Sequence, residues 1–172
     1  MYRFDKNTLI IPMRDVNDNL WSLQRIYPNG DKRFLKDGKK KGCFCLIGNN
    51  ELEALDRVFL CEGFSTGASI YLATEIPVII CFDAGNIFPV LESIKAKYPN
   101  KQYVIAADDD AYGKVNTGRL KALEACSKMH VSAYVPIFKD RSSKPTDFND
   151  LHCLEGLSEV KKQLGGVFDE NK

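Results

Sequence analysis

The chain has 172 residues, of which 44% are hydrophobic, and a formal net charge of +1 at pH 7. This composition is enough for a hydrophobic core and predicts one domain with an appendage. No apolar segment reaches the roughly 18 residues of a membrane span, and no signal peptide is recognisable, so we expect a cytoplasmic protein. The six cysteines lack the spacing of a zinc site, which predicts free thiols that are mostly buried.

Residues 1–50 alternate short strand-like runs with turns rich in Asp, Asn, Gly and Pro. The pattern predicts antiparallel strands near residues 9–13, 20–26 and 32–35. Six basic residues and two acidic ones lie between Asp31 and Lys41. This uneven distribution is compatible with a nucleic acid or a nucleotide phosphate as partner, despite the near-neutral total charge.

Residues 51–172 change to an alternation of strands and helices. Strands are predicted at about 57–62, 77–82, 102–107 and 131–135, and helices at about 65–74, 87–98, 113–129 and after Asp147. This order is typical of a parallel sheet with helices on its faces. In the third helix, the residues expected to face inward are Val115, Leu120, Ala122, Leu123 and Cys126. The sequence therefore predicts an α/β fold, divided into a β-rich basic segment at 1–50 and a parallel-sheet domain at 51–172.

Two acidic motifs follow apolar runs that have the character of buried strands. Glu62 comes directly after residues 58–61, and Asp108, Asp109 and Asp110 come directly after residues 104–107. Because open α/β sheets bind ligands at the carboxyl ends of their strands, we expect these carboxylates to meet at one edge. Carboxylate oxygens gathered there suit Mg²⁺ or Mn²⁺ and therefore phosphate chemistry.

Within the second motif, alternation along an extended chain places Asp108 and Asp110 on one side and Asp109 on the other. Asp108 and Asp110 are therefore the expected ligand pair. The alternative for this motif is a solvated acidic turn, and for Glu62 it is a cap on the next helix.

Further candidates have weaker signals. Gly63 is expected to serve a tight turn or a close backbone approach, and Gly113 a turn into the following helix. Asp83 ends another predicted strand. The last cluster contains Lys144, which could meet a phosphate, and three residues that could lie near the metal edge or simply start a helix: Asp147, Asn149 and Asp150.

Glu62-Gly63 after one strand, and Asp-x-Asp at Asp108 and Asp110 followed by Gly113, resemble the Toprim domain. That family is shared by bacterial primases, type IA and type II topoisomerases, OLD-family nucleases and a recombination mediator. The segment at 147–150 resembles the end of Toprim domains in plasmid and phage primases, and the basic segment at 1–50 resembles the part that precedes Toprim in them.

The resemblance implies a Rossmann-like Toprim sheet and a DNA primase activity. Glu62 would be the acid–base residue, with a share in metal binding, and Asp108 and Asp110 would bind Mg²⁺ or Mn²⁺. The substrates would be a single-stranded DNA template and nucleoside triphosphates. The residues implied to hold their phosphates are Arg14, Arg25, Lys32, Arg33, Lys40, Lys41 and Lys144.

The chain contains no Cys/His zinc module and no P-loop. We therefore expect a catalytic core or a fragment of a primase, with a helicase or other replication domains as partners. Two alternatives remain open at this point: a metal-dependent nuclease of the OLD type, and a non-catalytic module for DNA binding or assembly.

Overall fold

The computed structural model describes residues 2–4 (backbone only), 7–48, 51–113 and 115–168. A small antiparallel sheet has the strand order β1-β2-β3-β4, with β1 at Tyr2–Phe4, β2 at Thr8–Arg14, β3 at Leu20–Ile26 and β4 at Lys32–Phe34. The predicted antiparallel segment is confirmed: β2, β3 and β4 agree with the expected strands to within two residues, and β1 was not predicted.

The larger sheet has the order β5-β7-β6-β8-β9, with β5 at Cys45–Ile47, β6 at Arg57–Cys61, β7 at Val78–Ile80, β8 at Gln102–Ala106 and β9 at Ser132–Tyr134. β6, β7, β8 and β9 are parallel, and β5 joins the edge of β7 antiparallel. The predicted α/β fold with a parallel sheet is therefore confirmed. β5 precedes residue 50 and nevertheless lies in the larger sheet. The division of the chain into two parts at residue 50 stays a prediction.

In the described ranges, five α-helices accompany a short 3₁₀ helix at Leu52–Ala54: α1 at Phe64–Thr74, α2 at Ala84–Lys97, α3 at Thr117–Met129, α4 at Phe148–Glu155 and α5 at Leu157–Leu164. α1 packs with α4 and α5, and α2 packs with α3. No helix in the described ranges is long and apolar enough to cross a membrane.

The core has two layers, one on each face of the larger sheet. In β6, Phe59 and Cys61 belong to one layer and Val58 and Leu60 to the other, and all four are fully buried. This is the expected behaviour of a parallel strand that is covered by helices on both sides. All six cysteines are free, as predicted, although Cys153 is exposed.

The structure corrects the third helix. α3 begins at Thr117 rather than near 113, because the Asn116 side chain caps it by accepting the Arg119 N–H. Leu120 and Leu123 are 55% and 53% exposed, and Val115 is also exposed, so these residues do not face inward as predicted. The buried residues of the helix are Gly118, Ala122 and Ala125. Small residues face the sheet because the helix approaches it closely. A prediction based on large apolar side chains does not detect such a face.

Candidate functional site

Glu62 and Asp108 lie side by side at the carboxyl edge of the larger sheet. Glu62 directly follows β6, and Asp108 lies two residues beyond β8, the parallel neighbour of β6. Glu62 Oε1 and Asp108 Oδ1 are buried and have no hydrogen-bond partner among the residues that the structure describes. Burial of an acceptor without a hydrogen-bond partner costs free energy, and a bound cation would offset that cost for both oxygens.

The electrostatics of the pair agree with that interpretation. Burial, reinforced by the charges of Asp110 and Asp83, raises the pKa of Glu62 to about 7. Burial, reinforced by Glu62, Asp147 and Asp110, raises the pKa of Asp108 to about 8. A divalent cation would remove the mutual repulsion of these carboxylates.

Within the described part of the chain, no three Asp, Glu, His or Cys side chains form a ready-made cage for a metal ion. Mg²⁺ is usually held by one or two carboxylates and completes its octahedron with water and substrate phosphates. The donor set of Glu62 and Asp108, with Asp110 close enough to raise both pKa values, fits such an open site.

Asp110 and Asp109 make different contacts. Asp110 Oδ2 accepts the N–H of Gly118 at 2.9 Å, in the first turn of α3. Asp109 is only 5% exposed, and its carboxylate binds Asn116 Nδ2 at 2.8 Å and Arg141 at 3.1 Å. Asp109 therefore anchors the acidic loop to its surroundings. The sequence analysis did not predict either partner, because no local sequence pattern indicates which asparagine or arginine pairs with a distant aspartate.

Gly118 is a second residue that sequence reasoning missed. A Cβ atom at this position would lie 2.8 Å from the Asp108 carbonyl oxygen and 3.0 Å from Glu62 Oε1. The absence of a side chain lets the start of α3 approach both carboxylate residues. The available signal was a glycine eight residues after Asp110. The predicted start of the helix near residue 113 would have placed this glycine in the middle of the helix, where it has no evident role.

The two glycines that the motifs singled out have milder roles. Gly63 is the N-cap of α1 with an extended backbone, and a Cβ there would only reach ordinary contact with Thr66 Oγ1 at 3.5 Å and Lys32 Nζ at 3.9 Å. The close backbone approach belongs instead to Gly67, where a Cβ would lie 2.1 Å from Ile80 Cδ1. Gly113 donates its N–H to the Asp110 carbonyl at 3.0 Å, in a turn that precedes α3.

Asp83 and Asp147 have structural partners. Asp83 caps α2 by accepting the Asn86 N–H at 2.9 Å, which explains why the helix begins three residues earlier than predicted, and it pairs with Lys40. Asp147 caps α4 with one oxygen, which accepts the Asp150 N–H at 2.8 Å. Its other oxygen accepts the Thr66 hydroxyl at 2.8 Å.

Asn149 and Asp150 complete the network at the start of α4. Asn149 Oδ1 accepts the hydroxyl of the buried Ser69 at 3.2 Å, and Asp150 Oδ2 accepts the Thr146 N–H at 2.8 Å. The Asp150 contact thus reinforces the start of α4, and the Asn149 contact joins α4 to α1, while the charge of Asp147 still reaches Glu62 and Asp108.

Of the basic candidates, Lys32 and Lys40 reach the acidic edge. The ammonium of Lys32 lies beside Gly63 and opposes the rise in the pKa of Asp108. Lys40 pairs with Asp83 and lies over the Phe34 ring, 5.0 Å from its centroid. Both lysines belong to the part of the chain that precedes the parallel sheet, so that part contributes cations to the same edge.

The other basic candidates lie elsewhere. Arg25 and Arg33 are directly opposite each other in β3 and β4, on the face that alternation places away from Lys32. Arg14 pairs with Asp18, with 3.5 Å between the charged groups. Lys41 and Lys144 are exposed.

Comparison with known proteins gives a consistent result. The model of the Toprim domain family matches residues 57–158. Two proteins named DNA primase TraC from Escherichia coli are 39% and 37% identical to this chain over 133 residues, which is 74% of the chain. The chain spans only 12% and 9% of their lengths, about a tenth of each relative.

Two solved structures share the fold. The crystal structure of the primase fragment of the bacteriophage T7 primase-helicase protein has a TM-score of 0.67 at 15% identity, over 94% of this chain and 65% of that one. A T7 complex of lagging-strand DNA polymerase with two primase domains gives 0.61 at 16% identity, over 94% and 79%. The family model covers more than half of the chain and includes both acidic motifs, and the chain belongs to the Toprim domain family.

Proposed function

We propose that this chain carries the catalytic centre of a DNA primase, which makes RNA primers on single-stranded DNA by metal-dependent nucleotidyl transfer. The observation that carries the proposal is the pair of buried, unpartnered oxygens on Glu62 and Asp108, with Lys32 beside them. The similarity to DNA primase TraC supports the choice of a primase among Toprim proteins.

In this proposal, Glu62, Asp108 and Asp110 hold Mg²⁺ or Mn²⁺. The ion, when bound, would neutralise the triphosphate and help to activate a primer 3′-hydroxyl. Glu62, with a pKa of about 7, can hold or release a proton on its carboxylate near neutral pH, which suits an acid–base role. Lys32 supplies a positive charge where phosphates would lie.

The anchors around these residues do a different task. Asp109, Asn116 and Arg141 fix the acidic loop, and Gly118 binds Asp110 through its N–H. Such a fixed arrangement suits phosphoryl chemistry, in which the protein contributes mainly position and charge.

We assign single-stranded DNA and nucleoside triphosphates as substrates, with a helicase or other replication domains as partners. In this proposal, Lys32 and Lys40 would meet nucleotide phosphates. The remaining basic candidates would contact the template backbone, where attraction does not depend on sequence: Arg14, Arg25, Arg33, Lys41 and Lys144.

The test is the synthesis of short products from labelled nucleotides on single-stranded DNA with Mg²⁺ or Mn²⁺. Glu62→Gln and Asp108→Asn should each lower synthesis by about 100-fold or more, the order expected when a group that stabilises the transition state is lost. Asp37→Asn is the matched control, because it removes one carboxylate charge from an exposed turn.

The same samples are assayed for nicking of DNA. Nicking without synthesis would replace the primase with a Toprim nuclease. DNA binding that survives both substitutions, without either activity, would replace it with a non-catalytic module.

A further inference from the structure

A cleft of about 920 Å³ lies along the outer side of β5. Among the described residues, β5 is an edge strand of the larger sheet and pairs with β7 on one side only. The cleft is lined by residues of β5, β2 and α1 and by Lys97 at the end of α2, and α1 and α2 pack on opposite faces of the sheet. It therefore crosses the edge of the sheet, and Glu62, Asp108 and Asp110 are not among its lining residues.

The two sheets begin to pair at this edge and then separate. Arg14 and Phe44 exchange two backbone hydrogen bonds, of 2.9 Å from the Arg14 N–H and 2.7 Å from the Phe44 N–H. In an antiparallel ladder the next such pair would be Pro12 and Leu46. Pro12 has no N–H to donate, so the ladder cannot continue there, and both residues line the cleft.

The same alternation fixes the direction of the β5 backbone. Phe44 directs its N–H and C=O toward β2, and residues two apart in a strand direct these groups to the same side. The N–H and C=O of Leu46 therefore point into the cleft. The carbonyl has one weak contact within the described residues, from Cys45 Sγ at 3.9 Å. These are the groups with which an extended peptide pairs at a sheet edge.

The walls of the cleft indicate what kind of peptide would fit. One wall presents apolar side chains of α1, among them Leu72, which is 61% exposed. Three carboxylates also line the cleft: Asp15 accepts from Trp21 Nε1 and Asn19, Asp18 pairs with Arg14, and Glu53 is exposed. The two basic residues in the described part of its lining are already engaged: Arg14 pairs with Asp18, and Lys97 donates to the Val16 carbonyl at 2.9 Å.

We propose that the free edge of β5 receives an extended segment of a partner protein, which pairs with the backbone of Leu46 and carries both apolar and basic side chains. Main-chain hydrogen bonds would supply affinity, and the apolar wall and acidic groups would select the sequence. A second copy of this chain fits less well. Edge-to-edge pairing of two β5 strands would bring the acidic linings of both copies, with the exposed Glu53 of each, together.

The probe is a fluorescein-labelled short peptide of alternating valine and lysine, measured by anisotropy and by hydrogen exchange of the Leu46 amide. Leu46→Pro removes the donor that faces the cleft, on the side where an edge strand tolerates proline. Leu46→Ala is the matched control, because it loses the side chain and keeps the N–H. Melting curves of both variants verify that the fold is retained.

We expect binding of the probe to protect the Leu46 amide. Leu46→Pro should weaken binding about tenfold relative to Leu46→Ala, as expected for one lost hydrogen bond. A probe with N-methylated alternate amides should bind no better to wild type than the parent probe binds to Leu46→Pro.

Three outcomes would overturn the proposal: no binding of the probe, binding without protection of Leu46, and equal affinities of the proline and alanine variants. Protection of Leu46 that depends on protein concentration alone would identify a second copy as the occupant instead. None of these readouts uses nucleotide or metal, so they are independent of the primase assay.

Discussion

Gly118 and Glu62 are in near-contact: a Cβ atom on the glycine would lie 3.0 Å from Glu62 Oε1, and 2.8 Å from the carbonyl oxygen of Asp108. The helix α3 thus closes one side of the carboxylate pair. The Gly118 N–H also donates a hydrogen bond to Asp110 Oδ2, so the first turn of α3 approaches all three acidic residues.

Gly118→Ala should therefore displace α3 or the acidic loop, because the backbone oxygen of Asp108 cannot rotate away as a flexible side chain could. We expect a loss of about 1–3 kcal/mol in the free energy of unfolding, the usual range for overpacking, measured by urea denaturation. Gly166→Ala is the control, since a Cβ there meets nothing within 4 Å. Equal stability of the two variants would contradict the close approach.

Asp108→Asn should stabilise the metal-free protein at alkaline pH. With pKa values raised to about 7 and 8, Glu62 and Asp108 hold protons in the folded state that the unfolded chain has released. Stability is thus complete below an ordinary carboxyl pKa of about 4 and falls as the pH rises through 7 and 8.

The substitution removes the larger of these penalties. We expect a gain on the order of 2 kcal/mol at pH 9, and little change at pH 4, from urea denaturation in the presence of a chelator. A variant that is less stable than wild type at pH 9 would show that the Asp108 carboxylate is not electrostatically strained.

Addition of Mn²⁺ or Mg²⁺ should raise the melting temperature of the wild-type protein, because an ion that binds only the folded state stabilises it by mass action. Glu62→Gln and Asp108→Asn should lose most of this shift, while Asp37→Asn should keep it. Calorimetric titration of each variant with Mn²⁺ measures the affinities directly. Equal shifts in all four proteins would place the metal elsewhere.

Arg141→Ala should leave the buried Asp109 carboxylate with Asn116 as its remaining side-chain partner. We expect a loss of about 1–3 kcal/mol in the free energy of unfolding, as for a buried acceptor that loses a charged donor. Lys139→Ala serves as a comparison, because its ion pairs with Glu155 and Glu159 involve an ammonium that is exposed to solvent.

If the anchor also orients the acidic loop, Arg141→Ala should weaken Mn²⁺ binding at a temperature where the variant is fully folded, and Arg141→Lys should restore part of it. Unchanged Mn²⁺ affinity would show that Arg141 contributes to the stability of the fold but does not orient the acidic loop.

The sequence was informative where local pattern determines structure. Apolar runs ending in carboxylates predicted the strands before Glu62 and Asp108, and the structure places both residues at one sheet edge. Pattern failed in α3, where Leu120 and Leu123 were expected inside. The close approach to Asp108 admits only small residues such as Gly118, a constraint that arises from tertiary distance.

The same limit applies to the charged residues. Asp109 and Arg141 are 32 positions apart, and Lys32 reaches the acidic edge from another sheet, so no window of sequence contains either relationship. Asp83 and Asp147 are helix caps in the structure. The sequence analysis had given capping as an alternative for Asp147 but not for Asp83.

The unpartnered oxygens of Glu62 and Asp108 have a consequence for how the site would fill. With pKa values raised to about 7 and 8, both groups carry protons for part of the time near neutral pH, so binding of a cation would release protons. Loading would acidify a weakly buffered solution, and its measured heat would change with the ionisation enthalpy of the buffer. The acidity of the surrounding medium would then set the fraction of molecules that are ready to react.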